Sequence, residues 1–450
     1  MSVFQAELTK AWQVHQQGRI TDAEKVYRQV LAQTPNDANA WCYLGIALHD
    51  QRRYHEAVDA YDKALGLNPE FPIALNNLGN TLRYVGDVPK ADQCFERALQ
   101  LKPDYFNAYK NRGTLHAWNG SADLALKYYS KALELNPTDA ELHRNLGVIM
   151  LLQGRFREGW HEYRWRWRVG DLNRPFKLPI WDGSDLKGKS IVLTAEQGLG
   201  DTLHFVRFAQ LLRERGAQTL VYGQAALMAL LQNCQNLGPF YPNNLGLNQN
   251  FHYQCSLLDV ADFLNVDLSS IPSMPGYIQP ATHLVDYWRG QIRRDDSFKI
   301  GIAWQGNRDH QADMFRSIPL AFFEPLSQVP RVQLLSLQQG FGTDQLGNWK
   351  GRPITLLPEG VDKSSGAFMD TAAIMKSLDL VITSDTSIAH LAGAIGVPTW
   401  IGLNFVPDWR WLLERDDSPW YPSVRLFRQR FTGDWQGVFE QMLRELEKLV

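Results

Sequence analysis

The chain predicts an α + α/β protein, a solenoid of helical hairpins followed by two facing Rossmann-like domains built on parallel sheets. Three observations carry this prediction. Prolines recur every 34 residues at Pro35, Pro69, Pro103 and Pro137. From Lys189 onward, short Val/Ile/Leu runs alternate with helical stretches. At 450 residues the chain also exceeds one ordinary hydrophobic core, so two or three domains are expected.

The 34-residue period is the length of one tetratricopeptide unit, a helical hairpin that buries its apolar face by stacking on the next. Other positions keep the phase: Ala23, Ala57, Ala91 and Ala125; Gly45, Gly79, Gly113 and Gly147; Tyr27, Tyr61, Phe95, Tyr129 and Tyr163. Within one unit Trp41, Leu44 and Leu48 fall at i, i+3 and i+7, on one helical face. The second helix, Tyr54 to Leu67, ends at Asn68-Pro69 because proline cannot continue it. Four repeats fit, and a fifth begins at Ala140, with Gly159 at the alanine position and a Trp/Arg run from Trp160 to Arg168. End repeats are atypical because one face meets something other than a repeat. The Trp/Arg run is expected to be a packed cap with solvated arginines rather than a nucleic-acid stacking patch. Residues 1–168 are therefore assigned to four to five repeats, and 169–188, with Pro175 and Pro179, to a connector.

Asn77, Asn111 and Asn145 also keep the period, each just before a Leu-Gly or Arg-Gly pair, while Tyr43 breaks the series. First helices line the concave face of such solenoids. One reading is a ladder of amides that hydrogen-bond the backbone of an acceptor peptide, since each amide both donates and accepts. The other is asparagine tolerated on a solvated helix face.

Composition narrows the partners. The net charge of -2, from 46 basic and 48 acidic residues, makes no case for nucleic acid or acidic lipid. Cys42, Cys94, Cys234 and Cys255 lie far apart, without CxxC or clustered His, and read as packing residues in a reducing compartment. The N-terminus lacks a basic-then-apolar signal pattern, and no apolar run reaches the roughly 18 residues that span a bilayer. A cytoplasmic location is expected, with no transmembrane segment and no metal site.

In the second half, strands are expected at Ser190–Ala195, Gln218–Tyr222, Lys299–Trp304, Val332–Leu337 and Asp379–Thr383, with a helix from Thr202 to Arg215. The blocks on either side of Tyr287 give two domains, 189–286 and 287–450. Ligands of such folds bind outside the carboxyl ends of the strands. Three strand ends stand out. In Glu196-Gln-Gly-Leu-Gly-Asp-Thr-Leu-His204, Gly198 and Gly200 let the backbone turn sharply and Asp201 begins a helix; an ordinary capping Asp accounts for the same residues. Trp304-Gln305-Gly306-Asn307 leads through a polar loop to Phe315-Arg316, where Arg316 returns to the strand ends or forms a surface ion pair. Thr383-Ser-Asp385-Thr386-Ser387-Ile-Ala-His390 runs a strand into a helix through small polar residues, the makings of an anion site. A capping box explains Ser384 or Asp385 but not His390. Gln338 and Thr371, near Asp370, are weaker candidates for contacts to a nucleobase. Val406–Leu412 is rich enough in aromatics for a cleft wall, but core packing is the better reading.

At these residues a resemblance becomes specific. Gly200-Asp201-Thr-Leu-His204 resembles the G-D-V/A-L/I-H motif of bacterial heptosyltransferases, and Asp385–Ala392 is similar to their D-T-G-x-x-H-x-A motif. Phe315-Arg316-Ser-Ile-Pro319 resembles the Lys-Ile-Asp-Pro stretch of O-GlcNAc transferase, whose repeats carry a similar asparagine ladder. The likeness covers roughly residues 190–430, in the manner of bacterial tetratricopeptide proteins with a heptosyltransferase-like domain of glycosyltransferase family 9. It implies the GT-B fold, with a nucleotide-sugar between two Rossmann-like domains. It also implies inverting transfer without a metal or other cofactor, the nucleotide-sugar being a co-substrate. Asp201 is implied as the base, Arg316 and the amides around Thr386 and Ser387 as the diphosphate holders, and Asp385 and His390 as donor contacts. Two departures are visible. Arg316 replaces the family's lysine, keeping charge and adding a bidentate fork, and Ser387 replaces the glycine of D-T-G, so the sugar need not be heptose. Three functions follow: glycosylation of a protein held by the repeats, flagellin or another surface subunit; transfer to a lipid-linked saccharide; or an inactive scaffold.

Overall fold

The 34-residue phase becomes helices α1 (Val3–Gln16), α2 (Ile20–Gln33), α3 (Ala38–Asp50), α4 (Tyr54–Leu67), α5 (Pro72–Val85), α6 (Val88–Leu101), α7 (Phe106–Trp118), α8 (Ala122–Leu135), α9 (Ala140–Leu152) and α10 (Phe156–Tyr163). The computed structural model describes residues 3–170, 172–248, 250–309 and 313–450. The chain divides into two compact units, Met1–Ile149 and Met150–Val450.

In the first unit, the in-phase glycines and aromatics turn out to be two halves of one contact. A β-carbon on Gly45 would stand 2.6 Å from the Tyr61 ring, and one on Gly113 would stand 2.5 Å from Tyr129. Each hairpin therefore closes only because the first helix offers bare backbone to the aromatic of the second. Tyr27, Tyr61 and Phe95 are buried in a core that runs on through Leu8, Leu44 and Leu82. The first helix of each hairpin packs on the next first helix (α1 on α3, α3 on α5, α5 on α7), whereas second helices pack on the following first helix (α2 on α3, α4 on α5). First helices accordingly form the tighter, inner side of the stack. Local signals set the ends: Asp37 caps α3 by accepting from the N–H groups of Asn39 and Ala40 at 2.9 and 3.1 Å.

The second unit holds two parallel sheets. The first contains β1 (Ser190–Thr194), β2 (Gln218–Gly223), β3 (Phe240–Pro242) and β4 (Tyr253–Ser256), in the order β3-β2-β1-β4. The second contains β5 (Phe298–Ala303), β6 (Val332–Ser336), β7 (Leu380–Ser384), β8 (Thr399–Leu403) and β9 (Val424–Arg428), in the order β6-β5-β7-β8-β9. The helices between them are α11 (Leu199–Phe205), α12 (Arg207–Glu214), α13 (Met228–Gln232), α14 (Leu257–Phe263), α15 (Thr282–Ile292), α16 (Asp313–Arg316), α17 (Glu324–Gln328), α18 (Met369–Met375), α19 (Ser387–Ile395) and α20 (Trp435–Leu449). On the second sheet Ile300, Ile302, Trp304, Ile382 and Trp400 are buried together with Val438, Phe439, Met442 and Leu446 of α20. Burying side chains of this size contributes on the order of 1.5–3 kcal/mol each.

Two expectations need correcting. The helix expected over Thr202–Arg215 starts earlier and breaks at Val206, because the His204 carbonyl accepts from Arg207 Nε at 2.8 Å. Strands β3, β4, β8 and β9 were not anticipated; β4 reads as polar because Gln254 donates its amide to the carbonyls of Phe176 and Leu178 at 2.6 and 2.7 Å. Trp181 is buried, its N–H donating to the Gln254 carbonyl at 3.0 Å, so this part of the connector lies along β4.

Candidate functional site

Both sheets reverse their strand order beside a central strand, between β1 and β4 in the first and between β5 and β7 in the second. The loops leaving β1, β5 and β7 are the ones singled out by composition, and the switch point is where open α/β sheets bind ligands. After β1, Gln197 takes a left-handed φ of 61°, a strained turn for a residue with a β-carbon. Gly198 precedes α11, and Gly200 lies in its first turn. A β-carbon on Gly200 would stand 3.0 Å from His390 Cδ2 and 3.5 Å from Ser387 Cα. Glycine here lets α11 settle on α19, which joins the Gly198–His204 and Asp385–His390 segments in one place.

Asp201 is a helix cap, as one reading of its motif expects, and its second oxygen is held by an ion pair. Its Oδ2 accepts from the Gly198 N–H at 2.9 Å, as a helix cap does. Its Oδ1 pairs with Arg410 Nη2, a residue 209 positions away. Arg410 is 5% exposed and also donates from Nη1 to Asp408 Oδ1 at 2.8 Å. Burial works to lower the Arg410 pKa, but Asp408 and then Asp201 outweigh it and hold the guanidinium charged. Sequence reading placed Val406–Leu412 in the core. Trp409 and Trp411 are indeed buried, yet they carry Arg410 between them into the site.

Arg316 does return to the strand ends. Its Nη2 would stand 2.8 Å from a β-carbon on Gly306, and its Nε lies 3.5 Å from Asp313 Oδ1. Asp385, at the end of β7, is buried. Burial pushes its carboxyl up to about 6, with Asp408 adding to the rise and Trp411, Arg316 and Arg410 pulling against it. Thr386 caps α19 without a side-chain bond, and Ser387 opens the helix. Around Asp385 three buried donors lack hydrogen-bond partners within the protein, Ser384 Oγ, Thr386 Oγ1 and Arg410 Nε, while Trp411 Nε1 faces the Asp385 carboxyl and Arg316 Nε has only its long contact to Asp313. Buried polar atoms are rarely left so, and three beside the N-terminus of α19, with the Arg316 charge nearby, fit an anion with several acceptor oxygens.

His390 is buried and lies flat on Trp411, with ring centroids 5.3 Å apart at 13°. Its Nδ1 is 3.0 Å from the Tyr421 hydroxyl, which also lies 2.8 Å from Nδ1 of fully buried His204. One hydroxyl can donate to only one of these nitrogens, so the other imidazole donates to it as the Nδ1–H tautomer. Burial, with Arg207 acting on His204 and Arg410 on His390, holds both imidazoles well below the usual histidine range and therefore neutral. Arg207 is itself fully buried and donates to carbonyls, to Trp420 at 2.6 Å and to His204 at 2.8 Å.

The signs of these shifts set a pH dependence. The histidines contribute stability that is fully present above about 6.5 and is lost as pH falls through that value, because the unfolded chain then binds protons the native one refuses. Asp385 acts oppositely, its contribution being present at low pH and lost as pH rises from 3.8 through about 6. Two imidazoles against one carboxyl should leave net destabilisation on acidification below 6.5. Urea unfolding at stepped pH should show this slope, and His390→Gln should flatten it.

Other candidates are engaged elsewhere. The Gln338 amide makes four backbone bonds, accepting from the N–H groups of Trp304 and Gln305 at 2.9 and 3.0 Å and donating to the carbonyls of Gln305 and Phe341 at 2.9 and 2.7 Å. It locks the loop after β6 and has no group left for a base. Thr371 donates to Asp362 Oδ2 at 2.5 Å, capping the start of α18. Gln305 Oε1 accepts from Gln345 at 3.2 Å. Asn307 is exposed and accepts from the Asp309 N–H at 3.0 Å; residues 310–312 of the expected polar loop lie outside the described residues. On the repeats, Asn77, Asn111 and Asn145 are half-buried. Asn111 donates to Asn76 Oδ1 at 2.9 Å and Asn76 to Asn77 Oδ1 at 3.1 Å, while Asn145 accepts from Arg144 at 2.9 Å. The series is thus partly tied into its own helices.

The Trp/Arg run departs from expectation at one residue. Arg166 is buried rather than solvated, donating to Glu196 Oε2 at 2.9 Å, Glu196 Oε1 at 2.5 Å and Asp259 Oδ1 at 2.8 Å. Trp167 Nε1 and Ser256 Oγ complete the carboxylates' partners. The strand end that leads into Gly198 is therefore anchored by a closed ionic network. A separate cavity of about 410 Å³, lined by Arg293, Phe298, Arg331 and Val450, opens at the opposite, amino end of β5.

Tetratricopeptide-repeat profiles match residues 9–72, 72–105, 106–139 and 128–160. Protein FlbA of Caulobacter vibrioides is 28% identical over 331 residues, which take in 64% of this chain and 52% of FlbA. The chain thus spans about half the length of that curated relative. A structure of MamA from Desulfovibrio magneticus RS-1 is 19% identical and covers 38% of this chain and 99% of its own, with a TM-score of 0.34. PilF of Pseudomonas aeruginosa is 19% identical over 47% of this chain and 86% of its own, with a TM-score of 0.37. Likenesses at these scores do not bear on function. Among the described residues no helix is long and apolar enough to cross a membrane. The first 160 residues or so are tetratricopeptide repeats, which bind other proteins, and they precede an α/β region with parallel sheets of four and five strands.

Proposed function

We propose that the α/β unit is a glycosyltransferase of GT-B layout that moves a sugar from a nucleotide-sugar to a hydroxyl of a protein bound by the repeats. The observation that carries this reading is the group of unpartnered buried donors around Asp385, beside Arg316 and Arg410, at the N-terminus of α19. A departing nucleoside diphosphate carries the charge and acceptor oxygens such a site matches. Asp201 lies on the segment packed against it, as a base that takes the acceptor's proton must. The neutral, buried His390 packs against Gly200 rather than bearing charge. The resemblance to heptosyltransferases and to O-GlcNAc transferase points the same way, and the repeats favour a protein acceptor in the cytoplasm over a lipid-linked saccharide.

A second reading has its own observation. Both carboxylate oxygens of Asp201 are engaged, by the Gly198 N–H and by Arg410, and a carboxylate so held is a poor base. A non-catalytic scaffold built on a retired site would look the same. Thermal unfolding in the presence of ADP-, GDP-, UDP- and CMP-sugars separates the two. One of them at 100 times its Kd should stabilise the protein by about 2.7 kcal/mol, and Arg316→Ala should abolish most of the shift. Stabilisation by none of the four would leave the scaffold reading standing.

A further inference from the structure

Among the described residues Arg410 is the cation that pairs with the proposed base, and its backbone is held from both sides. Asp408 caps the turn, accepting the Arg410 N–H at 3.0 Å. Arg428, at the end of β9, donates to the carbonyls of Trp411, Leu412 and Arg415 at 2.5, 2.9 and 2.6 Å. Leu412 is fixed at φ 57° and ψ -170°, a backbone region that a β-carbon disfavours and that survives only where the surroundings impose it. Trp409 lies under the guanidinium at 4.2 Å, and Trp411 is stacked on His390. With the turn so constrained, the freedom left to Arg410 is that of its side chain.

That side chain stands between two anionic positions. It pairs with Asp201 on α11, and it is close enough to Asp385 to act on its charge. Its Nε is buried without a partner, among the same orphaned donors that mark the anion site. Asp408 and Asp201 hold Nη1 and Nη2, and the unsatisfied Nε beside Asp385 describes a cation with one donor still to place rather than one locked in a closed network. Arg166 provides the contrast, since both its Nε and its Nη2 are taken up by Glu196 and Asp259.

We propose that Arg410 is a latch on Asp201 that the donor's diphosphate opens. Without donor, the guanidinium neutralises Asp201 and withholds it from the acceptor hydroxyl. With donor, the phosphate oxygens draw the guanidinium toward the α19 N-terminus, and Asp201 is left free to accept a proton. Sugar transfer then requires donor first, since an acceptor that arrives before it meets a neutralised Asp201. The latch rests on the glycosyltransferase reading of this site.

The two states compete for one cation, so weakening either partner must strengthen the other by linkage. Titration calorimetry of the full chain with UDP, GDP, ADP and CDP would test this in the wild type, Asp201→Asn, Arg410→Gln and the double variant. For whichever diphosphate binds, Asp201→Asn should tighten the affinity by roughly tenfold, within the usual range of coupling between linked equilibria. Arg410→Gln should weaken it by a similar factor, and the double variant should match Arg410→Gln. Loss of the Asp201 charge alone would tighten binding equally with and without Arg410, so the latch requires the gain to vanish in the Arg410→Gln background. Equal affinity in the wild type and Asp201→Asn overturns the latch and leaves the donor site standing. No binding of any diphosphate to any variant overturns both. Should Arg410→Gln fail to fold, Arg410→Lys, which keeps the charge without the planar fork, replaces it in the same cycle. A gain from Asp201→Asn undiminished in the lysine background then overturns the latch.

Discussion

Asp201→Asn should lower sugar transfer on the order of 10²–10⁴-fold, the usual contribution of a positioned general base, while the protein stays folded. Asparagine keeps an oxygen for the Gly198 N–H, so the cap on α11 survives and only the charge facing Arg410 is lost. The expected signature is a split: turnover falls while diphosphate binding tightens. Initial rates at saturating donor, measured with the donor that stabilises the protein, would show the loss in kcat. An unchanged kcat would remove Asp201 from the chemistry and leave it a helix cap.

Arg166→Met should be the most destabilising single change in the α/β unit, costing on the order of 3–5 kcal/mol. Methionine fills much of the volume but leaves Glu196 and Asp259 facing each other, buried, with Ser256 and Trp167 as their remaining partners. Repulsion would be relieved by taking up a proton, so the loss should shrink as pH is lowered. The consequence should also reach the site, because Glu196 stands two residues before Gly198 at the end of β1. Urea denaturation at neutral and mildly acidic pH gives the magnitude and its pH trend. A companion variant in which Glu196→Gln and Asp259→Asn accompany Arg166→Met should recover much of the stability, since the cost lies in uncompensated charge rather than in lost shape.

What sequence reading reached, and what it missed, follows from the range of the interactions. The repeat was legible because its packing unit is local: Gly45 and Tyr61 lie sixteen positions apart, and their contact recurs at Gly79 and Phe95 and again at Gly113 and Tyr129. The strand ends were legible because turn chemistry is written in consecutive residues, as in Gln197–Gly198 and Ser384–Ser387. Arg410 was not, because its meaning depends on a partner 209 positions away. Trp409 and Trp411, correctly placed in the core, hid the charge between them. Tyr421 and Arg207 were missed for the same reason. Gln338 failed differently. An amide near a strand end looks available for a ligand, and only the carbonyl and N–H groups folded around it show that it is not. Arg166 shows that alternating Trp and Arg can place a single arginine inward when two carboxylates wait at neighbouring strand ends.

The central claim is that Asp201 and the donors around Asp385 serve sugar transfer to a protein. Intact-protein mass spectrometry of the proteins retained by the repeats, from cells carrying the wild-type chain or Asp201→Asn, tests it most directly. A hexose-, heptose- or nonulosonate-sized increment is expected on a retained protein in the wild type, and its loss in the variant. Unmodified proteins in both strains, with a lipid-linked saccharide altered in the variant, would contradict it.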